Sequence, residues 1–384
     1  MHTEIPNDAS RAGAEALQAR LLAQLARLGY PRIEPPILQP AAVFLDLSGE
    51  DIRGRLFLTS DGEGTEWCLR PEYTIPVARA YLGSPRAGSE AAFSYLGPVF
   101  RFRPGANGEF LQAGLESFGR GDREAADAEI LAAALEAADA AGHPALDIDV
   151  GDVGLFAHLL EALRLAPLWL RRLRRGFAQG QELDTILTAG RNGASDHSGV
   201  LAALSGVDRS SARMLVEDLL SIAGITSVGG RTAGEIAERF LEQASLQSGT
   251  SLADEQRNVL AAFLAIQGDP DTASTALRRL AKDAKLGLDQ PLDAFDGRIG
   301  FLAARGVEVA KLKFAASFAR NLDYYTGFVF EAHDPTRKDE RPVIGGGRYD
   351  GLMRRLGARA DIPAVGASLW VERLGAGAPQ GEAS

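Results

Sequence analysis

Strand-forming text occupies both ends of this chain and is nearly absent from its middle. "RLFLTS", "EWCLR", "FSYLGPVFRF" and "EFLQAGLESFG" lie within the first 120 residues, and "LDIDV" follows at 146–150. The pattern returns at "LKFAASF", "YYTGFVFEAHD", "RPVIGGGRYD" and "IPAVGASLWVERL", all beyond residue 310. From about 153 to 310 leucine and alanine recur at helical spacing instead, with polar breaks at "GRNGASDHSG" and "LQSGTS". Strands from the two ends must pair with each other if one core is to close. The expectation is an α+β fold with a mostly antiparallel sheet. The core is discontinuous, 1–165 with 300–376, interrupted by a mostly helical insertion at 166–299 and followed by a flexible tail at 377–384.

Local signals refine this outline. "RAGAEALQARLLAQLARLGY" has the spacing of an amphipathic helix and ends at Gly29. The prolines of "PRIEPPILQP" exclude a helix and predict an extended segment near a sheet edge or an interface. "SDGEG" predicts a turn between two strands, and "RPGANG" the loop of a hairpin from "PVFRF" to "EFLQAGLESFG".

At 384 residues, two or three domains are expected. The net charge of −10 opposes nucleic-acid binding by the molecule as a whole. The basic cluster "RRLRR" at 171–175 lies in a Leu-rich pattern and reads as a solvated helix face. A lone cysteine, Cys68, allows no internal disulfide and fits a reducing compartment. The N-terminus has no signal-peptide core, and no apolar run approaches the ~18 residues of a membrane span. A cytoplasmic protein without membrane contact is expected. His2, His143, His158, His197 and His333 are scattered without metal-ligand spacing, so no metal site is expected.

The chemistry-bearing residues concentrate in the strand-forming ends. The segments are "LRPEYT", "GPVFRFRPGANGEFLQAGLESFG", "ARNLDYYTGFVFE" and "IGGGRYDGL" with "VGASLWVERL". They suit a free amino acid. An α-ammonium needs carboxylates and amide oxygens, which Glu72, Gln112 and Glu116 can supply. Gln112 and Glu116 are four apart on one strand and so share a face. An α-carboxylate matches a guanidinium fork, from Arg101 or Arg320. Tyrosine hydroxyls and a carboxylate match the edge of an imidazole, and an aromatic ring covers its plane. Plainer readings stand beside these. Glu72 can serve as a helix N-terminal acid after Pro71. Tyr324 and Tyr325 can be half-buried strand residues, Gln112 and Glu116 a solvated strand face, Gly345–Gly347 a tight turn, and Asp323 a turn brace.

Together these segments resemble the catalytic core of histidyl-tRNA synthetase, a class II aminoacyl-tRNA synthetase fold, over most of residues 11 to 374. "RNLDYYTG" and "GGGRYDGL" carry the resemblance most specifically. It implies a histidine-binding set of Glu72, Thr74, Arg101, Gln112, Glu116, Arg320, Tyr324 and Tyr325, with Tyr349 as a weaker addition. "PRIEPPILQP" with its preceding helix resembles the class II segment that forms the dimer interface.

Three departures separate the chain from an active synthetase. Only a short small-residue tail follows Arg373, so no anticodon-binding domain is expected. Trp370 stands where the synthetase pattern has a glycine that lets adenosine approach the sheet. Arg103 stands where a glutamate meets the nucleotide. The amino-acid half of the site is kept while the nucleotide and tRNA halves are changed. This resembles the ATP phosphoribosyltransferase regulatory subunit family, synthetase-like proteins of histidine biosynthesis. The resemblance implies a chain with no catalytic residues and no cofactor of its own. It implies a short catalytic ATP phosphoribosyltransferase partner in a hetero-octamer, self-dimers of the class II type, free histidine as effector, and no tRNA. Three other readings remain: a histidine-adenylating paralogue, a synthetase with its anticodon function supplied in trans, and a scaffold with an empty pocket.

Overall fold

The computed structural model describes residues 8–47, 50–105, 107–188, 252–320, 324–337 and 341–375, with Met214, Asp218, 227–228 and 231–232. Asp323, the two polar breaks in the helical middle and the 377–384 tail lie outside the described residues.

Two compact units are present, Met1–Leu159 with Ala262–Ser384, and Leu160–Ala261. These limits differ from 165 and 300. Helices Pro270–Asp283 and Asp289–Ala304 fall in the first unit, where Ala273, Leu277, Leu292, Phe295 and Leu302 are buried.

The strands in chain order are β1 (Leu38–Pro40), β2 (Leu58–Ser60), β3 (Glu66–Leu69), β4 (Ala91–Phe100), β5 (Glu109–Phe118), β6 (Asp147–Asp152), β7 (Ser227–Val228), β8 (Arg231–Thr232), β9 (Gln267–Gly268), β10 (Lys313–Ala315), β11 (Phe328–His333), β12 (Ile344–Arg348) and β13 (Ala364–Trp370). Among the described residues the first unit holds an eight-stranded sheet in the order β4-β5-β13-β12-β11-β6-β10-β9. All its pairings are antiparallel except β10 with β6. Strands from the two ends of the chain therefore do share one sheet.

The β4–β5 hairpin fixes the register of the site, with Phe93 opposite Glu116 and Gly97 opposite Gln112. Continuing across the sheet, Glu116 faces Gly366, and Gln112 faces Trp370. Because side chains alternate along a strand, Tyr95, Gln112, Glu116, Ser368, Gly345 and Glu331 all share one face. The opposite face carries Leu115, Ala367, Phe330 and Val150, all buried. Helix Arg123–Ala140 buries Ala126, Ile130, Leu131, Ala134 and Ala137; its alanines favour the helix and allow close packing. The buried Arg298 guanidinium lies 2.9 Å from Asp127 and 2.8 Å from Asp152, and Arg348 reaches Asp127 at 2.7 Å. This closed ion cluster ties two helices to β6 and β12.

A smaller sheet, β1-β3-β2, continues from the extended segment at 31–40. Arg32 bridges to Ser94 in parallel, and Leu38 pairs with Leu69. The proline-rich stretch is thus extended, as its composition predicts. The helix expected at 11–30 runs Asp8–Arg27 and buries Leu17, Leu21 and Leu25.

The second unit includes helix Pro167–Ala178, which exposes Arg171, Arg174 and Arg175 and buries Trp169, Leu173 and Phe177. The basic cluster is a helix face, as expected. No helix among the described residues is long and apolar enough to cross a membrane.

Candidate functional site

The eight residues singled out in the sequence converge on one face of the large sheet. Glu116 is fully buried. Its carboxyl accepts from Thr74 Oγ1 at 2.8 Å and from the Tyr349 hydroxyl. Gln112, four residues back on β5, is buried with its Oε1 unpartnered. Thr74 opens helix Thr74–Leu82. Glu72, one residue before the N-cap Tyr73, satisfies two donors of the first turn: its carboxylate accepts from the backbone N–H of Thr74 at 2.7 Å and of Ile75 at 2.9 Å. The helix-terminus reading of Glu72 therefore holds, and the same carboxylate lies in the field of Arg101 and beside Glu116. Arg101 donates through Nε to the Pro71 carbonyl at 2.7 Å.

Arg320 enters from the other side. It donates to Glu331 at 2.9 Å and to the Tyr325 hydroxyl at 2.7 Å. Tyr324 and Tyr325 lie before β11 rather than on it, so their strand-like alternation with the following residues does not carry over. Their rings are 5.0 Å apart, and Tyr324 meets Tyr349 edge-on at 5.8 Å.

Tyr95, Ser368 and Glu331 were not foreseen. Tyr95 stacks on Tyr73 at 4.3 Å, and its hydroxyl lies 2.9 Å from Ser368 Oγ. Arg70 covers Tyr73 at 4.1 Å and donates to the carbonyls of Pro35 and Pro98. Only strand pairing brings these groups to the site, so no local pattern marks them.

Glycines make the room. Gly345–Gly347 form strand β12, not the tight turn that such a run suggests. A Cβ on Gly345 would lie 2.3 Å from the Arg320 guanidinium, and one on Gly114 would lie 2.3 Å from the Tyr95 hydroxyl. One on Gly97 would lie 2.2 Å from the Tyr73 hydroxyl. At Gly97, Gly345 and Gly366 a side chain from an adjacent element fills the space that the glycine leaves open.

The electrostatics follow from burial. Loss of water pushes the Glu116 carboxyl up to about 8, against the donors Tyr349 and Thr74 and with help from Glu72. Burial likewise raises Glu72 and holds the hydroxyls of Tyr95, Tyr324 and Tyr349 well above the usual phenol range. The arrangement gathers carboxyl, guanidinium and tyrosine groups on one face of the sheet, the kinds of group that suit a cationic nitrogen, a carboxylate and a flat ring. Among the described residues, no cluster of three or more His, Cys, Asp or Glu could hold a metal.

Known proteins narrow the reading. A family model for histidyl-tRNA synthetase matches residues 4–228 and 215–374. An ATP phosphoribosyltransferase regulatory subunit from Brucella canis is 41% identical over 365 residues, covering 94% of this chain and 95% of the relative. This chain belongs to the ATP phosphoribosyltransferase regulatory subunit family. Among solved structures, an ATP phosphoribosyltransferase regulatory subunit/histidyl-tRNA synthetase from Bacillus halodurans superposes with a TM-score of 0.65 at 22% identity, over 98% of this chain and 81% of that one. A histidine–tRNA ligase subunit from Alicyclobacillus acidocaldarius gives 0.58 at 25% identity, over 97% and 95%. The regulatory subunit family thus shares the histidyl-tRNA synthetase fold.

In this member of the family, two of the three departures, Trp370 and Arg103, have definite surroundings. Trp370 is buried in the core that also holds Tyr73, Tyr95 and Tyr349, with the Arg373 guanidinium 4.6 Å above its ring. Arg103 lies 3.9 Å over the Phe110 ring.

Proposed function

We propose that this chain is the non-catalytic regulatory subunit of an ATP phosphoribosyltransferase, the enzyme of the first step of histidine biosynthesis. A short catalytic subunit requires it for activity, and free histidine acts on the complex. The observation that carries the reading is 41% identity along 94% of the chain to a protein of that name.

The pocket supports histidine as its occupant. Glu72, Thr74, Gln112 and Glu116 offer acceptors to an ammonium or a ring nitrogen, Arg101 and Arg320 meet the carboxylate, and Tyr324 and Tyr325 face the ring. Trp370 supports the loss of adenylation, because an indole fills the space that a glycine would leave to adenosine. Arg103 reverses the charge of the expected nucleotide contact, and Arg373 is engaged with Trp370.

The assembly is a cytoplasmic hetero-octamer without tRNA, in which this chain contributes dimers. Ile37, Leu38, Phe57, Leu58 and Phe102 are exposed around the small sheet, and this apolar surface supports self-association through the 31–40 segment. The partition into a 1–165 and 300–376 core with a 166–299 insertion is retained as a proposal for independently folding parts.

The test is ATP phosphoribosyltransferase activity of the short catalytic subunit from the same organism, with and without this chain. A sharp rise on mixing, followed by inhibition on adding histidine, is the expected result. No change on mixing overturns the reading. Histidine-dependent ATP–pyrophosphate exchange by this chain alone, expected at background, would restore the adenylating alternative.

A further inference from the structure

Among the described residues, the site has one buried acid with neither an ion-pair partner nor an arginine among the groups that set its charge. Glu72 lies in the field of Arg101, and Arg320 is paired with Glu331. Glu116 has neither arrangement. Facing it are Thr74 from the helix, Tyr349 from the end of β12, Tyr95 from β4, Gly366 from β13 and the acid Glu72. Tyr324 and Tyr325 add hydroxyls to its surroundings, and the nearby cation Arg320 is committed to Tyr325 and Glu331. Four residues back along β5, beyond the intervening Gly114, Gln112 Oε1 is buried without a donor. One buried acceptor thus wants an N–H and the other wants a positive charge, on the same face of the same strand. A carboxyl so placed keeps its proton until a base arrives to share it or a cation arrives to balance its charge.

We propose that Glu116 is the proton-balancing group of the pocket: it is a neutral acid when the pocket is empty, and it shares its single proton with a ring nitrogen of the occupant. The inference rests on the reading of the occupant as histidine and adds how binding depends on pH. The bound pair holds one proton, either on the carboxyl or on the ring. Near neutrality the empty pocket also holds one, and the free imidazole, with a pKa of about 6.5, holds almost none. Binding then exchanges no proton with water at this pair. Above about 8, where Glu116 ionises, the free pocket has lost its proton and binding must take one up. Below about 6.5 the free ring has gained a proton and binding must release one. Affinity is greatest between the two values and falls about tenfold per pH unit on either side. A ring that both donates and accepts satisfies this pair, and a phenyl or aliphatic side chain does not.

Isothermal titration calorimetry of the full chain with L-histidine, from pH 5 to 9 in buffers of different ionisation enthalpy, counts these protons. The titration of the ligand's own α-ammonium is measured separately and subtracted. We expect a net count near zero at pH 7.2, release approaching one at pH 5, and uptake approaching one at pH 9. Glu116→Gln should lose the step near pH 8. Histidine binding with no residual proton uptake above pH 8 overturns the proposal while leaving the occupant intact, as does a step that persists in the variant. Absence of binding at every pH overturns both the pocket reading and this proposal.

Discussion

Glu116 on β5 and Gly366 on β13 are register partners, and the carboxyl of one occupies the space where the other would carry a side chain. A methyl group on Gly366 would lie 1.6 Å from Glu116 Oε2. The most buried acid of the pocket therefore exists in its place because its neighbour across the sheet has no Cβ.

Gly366→Ala should push Glu116 away from Thr74 and Tyr349. The expected cost is about 1–3 kcal/mol of stability, from overpacking of a site closed by backbone on the far side. Urea denaturation reads the cost, and calorimetry should show histidine binding lost. Gly13→Ala is the control: it lies in the first helix with nothing within 4 Å of the new methyl, so it should be neutral or stabilise by up to ~1 kcal/mol.

Arg320→Ala should abolish histidine binding, because it removes the proposed carboxylate partner and frees Glu331 and Tyr325 from their common donor. Arg320→Lys tests the fork. A lysine keeps the charge but cannot hold the same two acceptors in a fixed plane, so affinity should still fall at least tenfold, about 1.4 kcal/mol or more. Wild-type affinity in the lysine variant would remove Arg320 from the site.

Arg298→Met should destabilise the chain by about 3–5 kcal/mol, because Asp152 would remain buried without its cation and Asp127 would keep only Arg348. The midpoint of urea unfolding should drop accordingly. The ion cluster lies on the helical face of the sheet, so any histidine binding by the folded variant should persist.

The pH dependence of stability should carry a signature of Glu116. Its folded value of about 8 lies above the ordinary value of 4.5. A raised acid binds its proton more tightly when folded, so its favourable contribution is complete below 4.5 and is lost as pH rises through about 8. Across that window stability should fall by up to ~1.4 kcal/mol per pH unit from this group, then level off. Comparing wild type with Glu116→Gln in urea at pH 5, 6, 7 and 8.5 isolates it. The advantage of the wild type should shrink from pH 5 to 8 and change little beyond.

Much of this molecule is legible in one dimension. Strand patterns on both sides of a helical middle require a shared sheet, and β5 and β13 do pair although more than 240 residues of chain separate them. Period-two alternation places Gln112 and Glu116 on one face, and the text around Tyr324, Tyr325 and Gly345–Gly347 marks the site. These features depend on near neighbours along the chain, where spacing and local sterics decide the outcome. Tertiary structure decided the rest. Gly345–Gly347 form a strand instead of a turn because they pair on both sides, with β11 and with β13, and Arg320, Phe330 and Tyr325 occupy the space their missing side chains leave. Tyr95 and Ser368 join the site only through sheet register, and helix Asp289–Ala304 joins the first unit, where Arg298 reaches Asp127. The protonation of Glu116 depends on which groups exclude water from the carboxyl, and those come from five separate segments of the chain, at 72–74, 95, 324–325, 349 and 366.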